Sequence, residues 1–171
     1  MKLPNNGRKT FSITEILISL VMLGTISSVA IPAWFGRSDV TLDNAARLLA
    51  RDLRAAQNRA AFNGESTQLR FSGDGTGYSV FDKRGALLPA LMGQGGFVRE
   101  YPRDAVFRGV RVENADFAGQ AIVEYNDRGV VQHDGQVVLS FAGDSRIVRV
   151  CSRTGLIELE GMAEAWTDSG L

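Results

Sequence analysis

Residues 11–35 read FSITEILISLVMLGTISSVAIPAWF, and no Asp, Glu, Lys or Arg occurs from Ile16 to Gly36. A helix rises about 1.5 Å per residue, so about 20 apolar residues span a hydrocarbon core roughly 30 Å thick. The preceding MKLPNNGRKT carries Lys2, Arg8 and Lys9 and no acid. Basic flanks hold their side of a membrane helix in the cytoplasm, which sends the chain after Phe35 across. A cleavable secretory signal is the competing reading, but its apolar core is only ~7–15 residues and ends at a small-residue cleavage site. This run is longer and leads into a second helical pattern. The expectation is a basic leader at 1–10 and a transmembrane helix at 11–35.

Glu15 is the only charge inside the run. A carboxylate at the centre of a membrane helix costs on the order of 2.5–3.5 kcal/mol on insertion scales. Glu15 therefore either lies close enough to the interface to stay hydrated or meets a cation supplied by another molecule. Pro32 removes one helical hydrogen bond and crowds the preceding turn. Read with Gly36 and Ser38, it predicts a kink or short break between 32 and 38, followed by more helix.

Leu42, Ala45, Ala46, Leu49, Leu53, Ala56 and Ala60 recur at steps of three and four, one apolar stripe of an amphipathic helix. The spacing predicts a helix over 41–62 within a segment 36–62, with Thr41 as N-cap and Asn63-Gly64 as stop. Asp43, Arg51, Asp52, Arg54 and Arg59 are assigned to its polar side. Beyond Gly64 the period changes to two. Strands are expected at 67–71, 78–82, 106–112, 121–125, 136–141, 147–151 and 156–159, separated by Gly- and Asp-rich turns. Residues 86–102 read as an irregular insertion. A long N-terminal helix followed only by strands predicts an α+β domain, with the helix stripe buried on an antiparallel sheet and the β-rich part at 63–171.

Phe11-Ser12-Ile13-Thr14-Glu15-Ile16-Leu17 resembles the N-terminal signal of type IV pilins and type II secretion pseudopilins, with Gly24 and Pro32 at matching distances. The Gln57-Asn58-Arg59-Ala60-Ala61 segment resembles the GspH/FimT class of minor pseudopilins. So do the Tyr125-Asn126-Asp127-Arg128-Gly129 turn and Ser152-Arg153-Thr154-Gly155 between two strands. The resemblance implies cleavage between Thr10 and Phe11 by a prepilin peptidase, with methylation of the new Phe11 amine. The chain departs from the family at Thr10, where the family has glycine. For Glu15 the resemblance implies assembly: its carboxylate pairs with the N-terminal amine of a neighbouring subunit. It also implies a single-pass protein of the bacterial inner membrane, with a cytoplasmic N-terminus and a periplasmic C-terminal domain. Its partners are then other pilins or pseudopilins and an inner-membrane assembly platform. The role is structural, a minor subunit of a pseudopilus or pilus-like filament.

The residues offer little to an enzyme and imply no cofactor. One histidine, His133, and one cysteine, Cys151, do not make a Cys/His zinc pattern. Cys151 falls in an apolar strand and reads as a small core residue. The alternative function is a FimT-like minor pilin that binds DNA during uptake, which requires clustered Lys and Arg. The chain has 19 basic and 19 acidic residues, and Leu156–Leu171 holds Glu158, Glu160, Glu164 and Asp168 with no basic residue. Arg146, Arg149 and Arg153 remain a local basic patch, but nucleic acid is not the expected partner. Loops on a rigid scaffold often carry recognition, so the insertion 86–104, with Phe97 and Tyr101, is the expected partner contact.

Overall fold

The computed structural model describes residues 12–90 and 95–160, with the backbone alone described for 26–39. Contacts divide the chain into two units, residues 1–37 and 38–171. One helix, α1 (Ile13–Asn63), enters from the first and supplies the buried helix of the second. Its assignment is continuous through Pro32, so the expected short break is absent. A proline removes a single N–H from the ladder, and a long helix survives the loss of one bond. A bend at Pro32, the other expectation, falls on residues outside those fully described. Thr41 is likewise no N-cap, because the preceding helical turns already supply acceptors for the N–H groups a cap would satisfy.

In the second unit every residue of the expected stripe is buried, together with Ala50. The helix stops where the sequence says: Gly64 turns left-handed at φ 63°. The Glu65 N–H then donates to the Ala60 carbonyl at 3.3 Å, the wider bond of a glycine-terminated helix end.

Two antiparallel four-stranded sheets share the core with this helix, where a single sheet was expected. The first has the order β3-β2-β1-β5, from β1 (Thr67–Phe71), β2 (Gly77–Asp82), β3 (Val98–Glu100) and β5 (Ile122–Tyr125). The second has the order β4-β6-β7-β8, from β4 (Arg111–Phe117), β6 (Gly135–Phe141), β7 (Asp144–Val150) and β8 (Ile157–Glu160). Phe71 of β1 and Phe117 of β4 stack with ring centroids 6.5 Å apart. The Val112 N–H donates to the Gly75 carbonyl at 2.9 Å, which ties the β1–β2 turn to β4. The sheets therefore meet through side chains and one turn, a link that strand periodicity does not encode.

Three strand assignments shift. The first part of the expected 106–112 strand is a turn, because the Asp104 carboxylate accepts the Val106 N–H at 2.8 Å and Gly109 takes φ 100°. The strand begins instead at Arg111 and runs through Glu113, Asn114 and Asp116, whose polarity hid it; a bulge lies between Val112 and Asn114. β7 starts at Asp144, not at 147, because Ala142 and Gly143 form the hairpin turn with φ 54° and 95°. Positive φ at both central residues matches the twist of paired strands, but alanine there gives no sequence signal. β3 arises within the expected irregular insertion.

Candidate functional site

The N-terminal site lies at the start of α1. Thr10 and Phe11, the expected cleavage and methylation pair, lie outside the described residues. Ser12 precedes the helix, and its carbonyl accepts the Glu15 and Ile16 N–H groups at 3.0 and 3.2 Å. Glu15 is exposed in the first turn, where its negative charge faces the positive end of the helix dipole. Ser19 Oγ donates to the Glu15 carbonyl at 2.8 Å, leaving the carboxylate clear of that bond. After it come Ile16, Leu17, Ile18, Leu20, Val21, Met22 and Leu23, each 50–66% exposed. Consecutive positions point 100° apart, so the apolar surface surrounds the helix and does not form a stripe. A helix apolar on all sides requires an apolar environment all round it. Among the described residues no helix is long and apolar enough to cross a membrane. The expected span, 11–35, extends into residues whose side chains are not described.

In the second unit, Phe97 and Tyr101, the residues named for the expected partner contact, do not face solvent. Phe97 and Tyr101 are 3% and 1% exposed and belong to the core. Tyr101 sits edge-on to Tyr78, centroids 6.2 Å apart, so the insertion folds its aromatic residues inward. Aromatic residues among glycines look like a recognition loop in sequence, yet here they close the end of the core.

Asp52, assigned to the polar side of the helix, is fully buried. Its Oδ2 accepts the Tyr78 hydroxyl and the Arg99 Nε–H, each at 2.9 Å. Its Oδ1 has no hydrogen-bond donor among the described residues, and Arg51 Nε stands 3.8 Å from it. Burial pushes the Tyr78 hydroxyl well above its ordinary pKa, and the neighbouring Tyr101 and Asp52 add to the shift. Burial works against the Arg99 charge, but the Asp52 contacts outweigh it and hold the guanidinium more firmly protonated than usual. The cluster fastens β2 and β3 to α1 with one carboxylate. Asp52 follows Leu49 by three residues, at the edge of the stripe, which is the one sequence sign of its burial. Its partners are 26 and 47 residues away and leave no sign.

The arginine patch is largely neutralised. Arg146 Nε donates to Asp43 Oδ1 at 2.7 Å, and Arg149 pairs with Glu160. Arg153 remains exposed. His133 is exposed in a turn, and among the described residues no three metal-ligating side chains converge. Cys151 is half-buried at the end of β7, not a core residue as expected. Its thiol pKa is lowered, chiefly by hydrogen bonding to the Thr154 side chain. The sequence reading missed Phe62, which is 92% exposed. It stands two residues past the last stripe position, Ala60, so its phase alone marks it as facing away from the core.

No family model and no curated protein matches the sequence. Several solved structures are similar to this chain, among them a minor pilin and a minor pseudopilin. The type IV minor pilin FimU of Pseudomonas aeruginosa matches at 20% identity over 70% of this chain and 87% of that one, with a TM-score of 0.49. The minor pseudopilin EpsH of the type 2 secretion system of Vibrio cholerae matches at 12% identity over 70% of this chain and 94% of that one, with a TM-score of 0.48.

Proposed function

We propose that this chain is a minor pilin- or pseudopilin-like structural subunit, anchored in a bacterial inner membrane and assembled into a filament through the N-terminal part of α1. The observation that carries the reading is the apolar surface that surrounds the helix after Glu15. A bilayer satisfies that surface before assembly, and a bundle of like helices satisfies it afterwards. In such a bundle Glu15 is the one charged group, and it becomes tolerable when a neighbour's amine neutralises it. Pairing then favours one axial register among contacts that are otherwise interchangeable. The role is structural, and the prepilin peptidase and assembly platform are the machinery it requires. DNA uptake is less well supported, because Asp43 and Glu160 already hold two of the three clustered arginines.

Cross-linking in living cells tests the proposal. Glu15→Ala should leave the protein in the membrane at parental abundance and abolish most cross-links to filament subunits. Unchanged cross-linking would refute the assigned role of Glu15.

A further inference from the structure

Where β5, the turn 117–120 and residues 131–133 meet, they enclose a cleft of about 230 Å³. Phe117, Ile122 and Val131 give it apolar walls, and Gln120, Glu124, Gln132 and His133 supply polar groups. No Lys or Arg lines it. Glu124 is half-buried, and among the described residues its carboxylate has no hydrogen bond and no ion pair. The side chains of Gln120, Gln132 and His133 have no partner there either. On the adjacent strand Gln68 stands opposite Glu124 and Arg70 opposite Ile122. Arg70 does not neutralise Glu124, because it donates to Gln68 Oε1 at 2.7 Å and lies 4.7 Å from the centre of the Phe81 ring.

Both rims of the cleft are fixed by the fold. Ala118 and Gly119 take φ 56° and 84°, and the N–H groups of Phe117 and Gln120 donate to each other's carbonyls at 2.9 and 3.3 Å. The Asp116 carboxylate braces the same turn by accepting the Gly119 N–H at 2.8 Å. Across the cleft, the Gln132 N–H donates to the Glu124 carbonyl at 3.1 Å. The Asp134 carboxylate then accepts the Ser152 N–H, which draws the chain toward the end of β7. The edge of β5 is thereby left open at Ile122. The Phe71 N–H donates to the Ala121 carbonyl directly opposite, so the alternation of an antiparallel ladder turns the Ile122 N–H and C=O outward. Neither has a partner among the described residues.

From this unpaired carboxylate beside an open strand edge we infer that the cleft binds a lysine or arginine side chain presented by an extended segment of a partner protein. The apolar walls take the aliphatic stem, and the Glu124 carboxylate with the Gln120 and Gln132 amide oxygens accepts the cationic head. Ile122 pairs with the main chain of the same segment, as a strand added to a sheet edge does. Size favours a single side chain, because pockets for whole small-molecule ligands run from ~300 to ~1,000 Å³. A bare metal ion fits less well: among the described residues no third ligating group joins Glu124 and His133. The inference rests on residues of the second unit alone and does not depend on the assembly reading.

The test titrates the full chain in detergent micelles with the acetylated and amidated peptide Val-Lys-Val, read as backbone amide shifts by NMR. Shifts should concentrate at 117–124 and 131–133. Glu124→Gln, which keeps the side chain's shape, should weaken binding about tenfold, the loss of one hydrogen bond to a charged group. Norleucine in place of the peptide's lysine should weaken it as much and leaves the protein untouched. An absence of shifts at these residues, or equal binding by the norleucine peptide, would overturn the inference. So would equal binding by cadaverine, because the cleft would then serve a free amine and the Ile122 edge would take no part.

Discussion

Asp52→Ala leaves the Tyr78 hydroxyl without its acceptor and the Arg99 guanidinium without its counter-charge. Breaking a buried pair typically costs ~3–5 kcal/mol, and because Arg99 keeps partial contact with water the expected loss lies near ~3 kcal/mol. Tyr78→Phe removes one hydrogen bond to a charged group and should cost less, about 1.5 kcal/mol. Chemical denaturation of the two variants and their double mutant measures the coupling; simple additivity would show that the two side chains act independently. Acid sensitivity belongs to the turns. The Thr76 side chain and N–H lower the Asp74 pKa, and the Ser152 N–H lowers that of Asp134. A carboxylate with a lowered folded pKa stabilises above its unfolded value, near 3.9, and loses that contribution as pH falls through the folded value. The parent's stability advantage over Asp134→Asn should therefore be present near neutrality and shrink below about pH 4, read as unfolding midpoints across pH.

At the scale of the element, the second half of α1 is held by its alanine and leucine stripe. Leu53 is fully buried, and truncation to Ala leaves a cavity that typically costs about 3 kcal/mol or more. Two glycines allow backbones to approach more closely than any side chain permits. A Cβ on Gly77 would stand 1.8 Å from the Arg99 carbonyl oxygen, so the β2–β3 pairing requires its absence. Gly129, at φ 72°, brings the 126–129 turn against α1, where a Cβ would lie 2.8 Å from the Gln57 carbonyl oxygen. Gly77→Ala should detach β3 and expose Tyr101 and Phe97, at a cost of about 1–3 kcal/mol. Faster amide exchange confined to 97–101 would confirm it; unchanged exchange there would mean that the strand edge yields without cost.

For the whole molecule, the proposed processing is tested at the N-terminus. Mass spectrometry of the protein from native membranes should find a methylated Phe11 if the resemblance holds across the Thr10 departure. An intact Met1 would instead indicate a permanently anchored chain. Glu15 and its apolar surroundings were legible because hydropathy and charge are local properties of a sequence. The helix stripe, the stop at Gly64 and the hairpin between β1 and β2 were legible for the same reason: each follows from the period or turn chemistry of a few consecutive residues. Tertiary structure decided what depends on residues far apart. It divided the strands between two sheets joined by Phe71 and Phe117, turned Phe97 and Tyr101 inward, and buried Asp52 beneath Tyr78 and Arg99. A carboxylate looks solvated in sequence because its burial is tolerable only when donors from other strands arrive, and nothing near it in the chain specifies them.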